Sequence, residues 1–283
     1  METKLPIVIY PTMTKKEAEK VVEYITTGLI PSQEQWVTIL TTLHVRIALQ
    51  CILNIKEMES YCLVPVIKRQ HQRLFQEVVR KIKQIPLNTI NILMTVNAFY
   101  LYTCLNQGLD PNGVMTNGQC PLSFACRYNR LQHIQTLLGN SKIIVSKNLC
   151  RFMLRHRPQH RFVSRAIQLC TDITPDLILE ALEANSSGAL IIIMKKLEEK
   201  FKGNSIWIEM GHLLRCPISL EFTTDLVQTP SKHIFDRVCL LTWVNSHSSN
   251  PMTREQLHES DFIKRREFLP VLIEELQQKI QQL

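Results

Sequence analysis

The stretch CPISLEFTTDLVQTPSKHIFDRVCLLTWVNSHSSNPMTREQL, residues 216–257, is the most informative part of the chain. It opens on a turn at Pro217 and continues in two short β-prone runs, Leu226 to Gln228 and His233 to Phe235. The turn chemistry of Thr229, Pro230 and Ser231 between them predicts a hairpin. Asp236 then stands at an N-cap position, and Arg237 to about Ser246 has helix-forming length. Leu240 and Val244 predict a buried stripe on that helix, with Leu241 beside them and Trp243 one residue off it, half buried and half displayed. A second loop, Ser248 to Thr253, carries Pro251. Ile218 and Leu220 from the first loop, Pro251 and Met252 from the second, and Trp243 between them form a small apolar platform suited to a protein partner.

Several blocks of this stretch coincide with a known pattern in order and spacing. Cys216 to Glu221 look like the opening motif of a U-box, and Thr229, Pro230, Ser231 followed by His233 to Arg237 resemble its central block. Asn250 to Arg254 look like its second loop. About residues 212 to 275 thus resemble a U-box, the metal-free relative of the RING domain found in ubiquitin ligases. The resemblance implies a RING-type ubiquitin transferase with no covalent ubiquitin intermediate and no cofactor. Its partner would be a ubiquitin-conjugating enzyme charged with ubiquitin, bound by Ile218, Leu220, Trp243, Pro251, Met252 and Arg254. Arg254 sits where such ligases carry a basic linchpin, bridging enzyme and ubiquitin. Three positions depart from the family pattern: Leu226 replaces a Pro, Lys232 a Gly, and Arg265 an Asn that normally braces the second loop. Lys232 implies a turn that either avoids positive φ or tolerates strain. A binding adaptor with a degenerate U-box is therefore the competing reading.

A zinc-binding RING needs closely paired ligands, and Cys-x-x-Cys occurs nowhere in the chain. No metal is expected, so hydrogen bonds and ion pairs of Glu221, Asp225, Asp236, Arg237 and Ser231 are expected to fix the loops. Cys216 and Cys239 have no activating neighbour in the pattern and read as buried thiols.

At 283 residues and 45% hydrophobic, the chain has enough apolar content for two or three domains. Nine scattered Cys read as reduced thiols, some of them open to lipidation, and no secretory signal is expected at METKLPIVIYPTMTKKEAEK. Apolar runs such as Ala189 to Met194 are too short to span a bilayer, so a membrane is not expected as a partner. A cytoplasmic location follows. The net charge of +8 comes from the first 211 residues, which carry +9, since residues 212–283 hold eight basic against nine acidic side chains.

The fold class expected is mainly α. It divides into a helical N-terminal region at 1–85, ankyrin-like helix pairs at 86–205 that bind substrate, and a small α+β U-box domain at 206–283. Thr14 with Glu17 and Ser32 with Gln35 fit capping boxes that open helices over Lys15 to Thr27 and Gln33 to about Leu53. A third helix is expected over Val66 to Lys83. Tyr100 to Asn112 resembles the end of an ankyrin repeat. A fuller repeat follows, with Cys120, Pro121, Leu122 and Ser123 in place of Thr-Pro-Leu-His, then Ala125 and the apolar series Leu131, Ile134, Leu137, Leu138. Asn91 to Leu105 and Pro175 to Phe201 supply degenerate neighbours, because a lone repeat leaves its faces unburied. A recognisable repeat beside a divergent U-box also resembles ligases that intracellular bacteria inject into host cells, which would place it in host cytoplasm.

Arg151, Arg155, Arg157, Arg161 and Arg165 recur at intervals of four or two and could form a cationic substrate-binding stripe. A solvated helix face is the simpler reading, and nucleic acid is not expected, since no stacking aromatics accompany the stripe. Lys202 to Ser205 read as a linker, with Trp207 and Met210 packing back on the preceding helices. Leu272 to Leu283 reads as a last helix whose Leu272, Leu276 and Ile280 cap the U-box core or form a homodimer.

Overall fold

The computed structural model describes residues 6–10, 12–156 and 158–283. Two compact units emerge, one ending at Ile143 and one running from Ile144 to Leu283. The boundaries expected near residues 85 and 205 each fall inside a unit.

The first unit is helical. Its elements are α1 (Lys15–Thr26), α2 (Gln33–Thr41), α3 (Val45–Leu53), α4 (Leu63–Arg69), α5 (Gln72–Lys81), α6 (Thr89–Leu93), α7 (Ala98–Asn106), α8 (Pro121–Arg127) and α9 (Leu131–Leu138). Both capping boxes form: Thr14 and Ser32 cap α1 and α2, and Glu17 and Gln35 return the bond to the cap N–H. The helix expected over 33–53 is two helices. Arg69 donates to the carbonyls of Leu40 and Leu43, which satisfies the open end of α2, and His44 caps α3 through Nδ1. The helix expected over 66–83 is likewise broken. Gln70 takes a left-handed conformation at φ 56° and His71 restarts the chain as the N-cap of α5.

Helices in this unit pack on the next but one: α1 on α3, α3 on α5, α5 on α7 and α7 on α9, with α2, α4 and α6 forming a second layer. Pro121 occupies the first turn of α8, and the fully buried Ala125 lets α8 and α9 approach closely. His133 on α9 is buried at 4% exposure, its Nε2 3.2 Å from the Leu93 carbonyl, and burial holds its pKa below the ordinary histidine value. An unfolded imidazole takes a proton near pH 6.5 and this folded one resists it. Its contribution to stability is therefore full above that pH and is lost as the pH falls below it. Denaturant melts should weaken from pH 7.5 to 5.5, and a His133→Gln variant should lose that part of the dependence.

The second unit begins with α10 (Lys147–His156), α11 (His160–Leu169), α12 (Leu177–Glu183) and α13 (Ser187–Glu198), with α10 packed on α12 and α11 on α13. Arg157 lies outside the described residues. The arginines do not form one stripe, because Arg151 and Arg155 belong to α10 whereas Arg161 and Arg165 belong to α11. Arg151 pairs with Asp176 and lies 3.1 Å from Glu180. Arg155 grips the same Glu180 carboxylate with two bonds, at 2.7 and 3.0 Å. These two arginines clamp α10 to α12, while Arg161 and Arg165 are exposed.

The expected linker is a tight turn. Gly203 adopts φ 82°, Asn204 caps α14 (Ser205–Leu214), and Trp207 stacks on Phe201 at 5.4 Å. The strands β1 (Leu226–Gln228) and β2 (Ile234–Asp236) pair antiparallel, with Val227 opposite Phe235. They are followed by α15 (Arg237–His247) and α16 (Arg265–Ile280). The last helix starts well before the expected Leu272 and runs through Pro270. That proline is exposed, as is Arg266, whose carbonyl an N–H at position 270 would have bonded. Leu272 and Leu276 are buried where α16 meets α12, α14 and β1, which spends the face expected to cap or dimerise inside the unit. Lys279 adds a 2.6 Å ion pair to Glu209 on α14. No helix among the described residues is long and apolar enough to cross a membrane.

Candidate functional site

The hairpin and α15 are organised by one small core. Cys216, Val227, Phe235, Leu240, Val244 and Leu257 are buried together, and Ile218, Cys239, Trp243 and Phe262 pack on its edge. Leu240 and Val244 form the inward stripe of α15, and Trp243 stands half-buried beside it, as expected. Its ring stacks on His247 at 4.1 Å, and its Nε1 is enclosed without a hydrogen-bond partner among the described residues.

Asp236 holds the first loop. Its Oδ1 accepts the Cys239 N–H at 3.0 Å and caps α15, while its Oδ2 accepts the Thr223 hydroxyl at 2.8 Å. The Thr223 hydroxyl oxygen in turn accepts the Asp225 N–H, and the Arg237 N–H closes on the Asp225 carbonyl at 2.9 Å. The Cys216 N–H donates to the Glu221 carbonyl and the Leu220 N–H to the Cys216 carbonyl, at 2.9 and 2.8 Å. These bonds force Leu220 into a left-handed φ of 59° and leave its side chain 66% exposed. A leucine in that conformation costs about 1–2 kcal/mol relative to an ordinary one.

Asn250 holds the second loop. It is 2% exposed, accepts the Met252 N–H at 2.9 Å and the Thr253 N–H at 3.4 Å, and donates to the Ser231 hydroxyl at 2.9 Å. Ser231 also contacts Thr229 Oγ1 and His233 Nδ1, so the loop is tied to the hairpin turn. The loop displays Met252, 53% exposed, with Pro251 half-buried and Arg254 exposed at φ 65°.

The side chains that fix the loops are thus only partly those expected. Asp236 and Ser231 act as expected. Glu221, Asp225 and Arg237 contribute backbone groups, and Thr223, Thr229 and Asn250 do the work assigned to ion pairs. The turn containing Lys232 does use positive φ, 66°, with the Lys232 N–H held by the Thr229 carbonyl at 2.8 Å. Burial pushes the Cys239 thiol up, the wrong direction for a nucleophile. Among the described residues no three His, Cys, Asp or Glu side chains converge so as to hold a metal ion.

Two loops locked by hydrogen bonds thus stand on either side of a helix carrying Trp243. Residues 212–281 match the U-box domain model. A U-box implies a ubiquitin ligase function: such domains bind ubiquitin-conjugating enzymes and are generally ligases of the RING type. No curated protein and no solved structure matches the chain. Two further apolar residues are displayed within residues 212–281 that the motifs do not point to, Val238, 63% exposed on the first turn of α15, and Val271, 66% exposed on α16. The signal for Val238 was legible, since the Leu240 and Val244 stripe puts position 238 on the outer side of the helix.

Proposed function

We propose that this protein is a ubiquitin–protein ligase whose U-box recruits a ubiquitin-charged conjugating enzyme, while its stacked helices select the substrate. The exposure of Leu220 and Met252, on loops that their own hydrogen bonds hold rigid, is the observation that carries this reading. Large apolar side chains displayed on fixed backbone, strained at Leu220, suit a preformed docking surface, which loses little entropy on binding. Ile218, Leu220, Trp243, Pro251 and Met252 grip the conjugating enzyme. Arg254 bridges enzyme and ubiquitin, so that the amine attack on the thioester becomes effectively intramolecular. The substrate supplies the lysine and the conjugating enzyme supplies the reactive thiol. The next-but-one packing of helices supports an ankyrin-like, repeat-type platform for the substrate, with Arg161 and Arg165 as its available cations. The site of action is the cytoplasm, a host cell's cytoplasm if the chain is a bacterial effector.

Autoubiquitination with ATP, activating enzyme, ubiquitin and a panel of conjugating enzymes tests this. Wild type should build chains. Ile218→Ala should lose affinity for the conjugating enzyme, whereas Arg254→Ala should keep most of that affinity and slow transfer by about a hundredfold or more, each factor of ten being about 1.4 kcal/mol of barrier. A folded wild-type protein that builds no chains with any enzyme would favour the adaptor reading.

A further inference from the structure

The first loop of the U-box is held from outside the domain as well as from within. Asn185 takes a left-handed φ of 52° between α12 and α13 and turns the chain so that Ser187 opens α13. The Ser187 hydroxyl accepts the Thr224 N–H at 3.1 Å and shares a second bond with Thr224 Oγ1 at 2.8 Å. Thr224 is 1% exposed, so water does not substitute for either bond. On the other side of the same residue, Arg265 Nε donates to the Thr224 carbonyl at 3.0 Å, and Arg265 Nη2 donates to the carbonyl of Leu182 on α12. A guanidinium at the last turn of a helix also meets the negative end of its dipole.

Thr224 is the next residue after Thr223, whose hydroxyl bonds Asp236, the cap of α15. Two sets of hydrogen bonds, joined by the peptide bond between Thr223 and Thr224, therefore run from the α12–α13 turn to the start of the helix that carries Val238 and Trp243. We propose that Ser187 and Arg265 are positioning residues, which set the placement of α15 from the last helix pair and so tune the grip on a conjugating enzyme from outside the docking surface. This rests on the ligase reading of the site. It gives Arg265 a role different from that of the family's asparagine: it braces the first loop against α12, while Asn250 braces the second.

The test uses the full chain and the conjugating enzyme that best supports chain building by wild type. Ser187→Ala should weaken binding of that enzyme roughly three- to tenfold, the worth of about one net hydrogen bond, and Ser187→Thr, which keeps the hydroxyl, should restore it. Arg265→Ala should weaken it at least as much, with Arg265→Lys in between. The transfer rate at saturating conjugating enzyme should stay near wild type, because Arg254 is untouched. Wild-type affinity in both Ser187→Ala and Arg265→Ala would overturn the proposal. So would a loss that Ser187→Thr fails to rescue. If wild type binds no conjugating enzyme, the ligase reading fails on its own, and amide exchange decides the positioning. Faster exchange of the Cys239 N–H in Ser187→Ala, with exchange in the body of α13 unchanged, supports it; unchanged exchange at Cys239 overturns it.

Discussion

Asp236→Ala should unfold the first loop and the start of α15 together, and abolish ubiquitin transfer. One carboxylate makes both bonds that matter there, Oδ1 to the Cys239 N–H and Oδ2 to the Thr223 hydroxyl. Losing an N-cap costs about 1 kcal/mol, and leaving a buried hydroxyl that had bonded a charged group unpaired adds about 1–3 kcal/mol. Thr223 is 6% exposed and already takes the Asp225 N–H, so it has little freedom to find another partner. Asp236→Asn separates the two terms. Asparagine caps a helix as well as aspartate does, and its amide can donate to the Thr223 oxygen, so that variant should retain most of the stability. Urea melts followed through the U-box, with chain assembly measured on the same samples, check the ordering wild type, Asn, Ala. Equal loss in both variants would mean that the charge, not the geometry, holds the loop.

What the sequence made legible was local. The hairpin, the Asp236 cap and the Leu240 and Val244 stripe each depend on residues within a few positions of one another, and each lies within about one residue of its expected place. Both capping boxes are of the same kind. The helix breaks at His44 and at Gln70–His71 were not legible, because histidine is a weak cap signal and glutamine is not a residue that marks left-handed backbone. Pro270 misplaced the start of α16, since a proline in a helix reads as a stop unless the freed carbonyl is known to face water. The long-range bonds were invisible for a different reason. Arg151 and Arg155 look like a displayed stripe until Asp176 and Glu180, on another helix, are brought against them. Asn250 reads as a loop residue until its amide is seen to meet Ser231, and Arg265 as a departure from the family until Thr224 and Leu182 surround it. Divergence at position 265 is thus accompanied by a different set of contacts rather than an empty one.

Asn250→Ala should leave the U-box folded but its second loop without a fixed shape, and should cost transfer far more than it costs stability. The side chain satisfies the Met252 and Thr253 N–H groups and ties the loop to Ser231, and it does so while almost fully buried. Met252 and Thr253 are themselves exposed, so water can replace the bonds they lose, which limits the stability cost to about 1–2 kcal/mol. The same replacement loosens the turn that keeps Arg254 left-handed: the main-chain carbonyl of residue 250 still accepts the Arg254 N–H, at 3.0 Å, but without the side-chain bonds nothing fixes that carbonyl, and the strain at φ 65° persists only while the loop imposes it. In the bridging role proposed for it, Arg254 loses its preorganisation when that happens, and misplacement by about 1 Å can cost on the order of a hundredfold in rate. Ser231→Ala is the control. It removes the tie to the hairpin but leaves Asn250 Oδ1 in place to hold the Met252 and Thr253 turn, so transfer should fall only a few-fold, about one hydrogen bond's worth. Single-turnover discharge of ubiquitin from the conjugating enzyme to free lysine, compared with thermal melts of the same variants, reads the two effects apart. Parallel losses of rate and stability in Asn250→Ala would show that the amide serves the fold alone, and a rate loss confined to it would show that the second loop must be rigid for Arg254 to act.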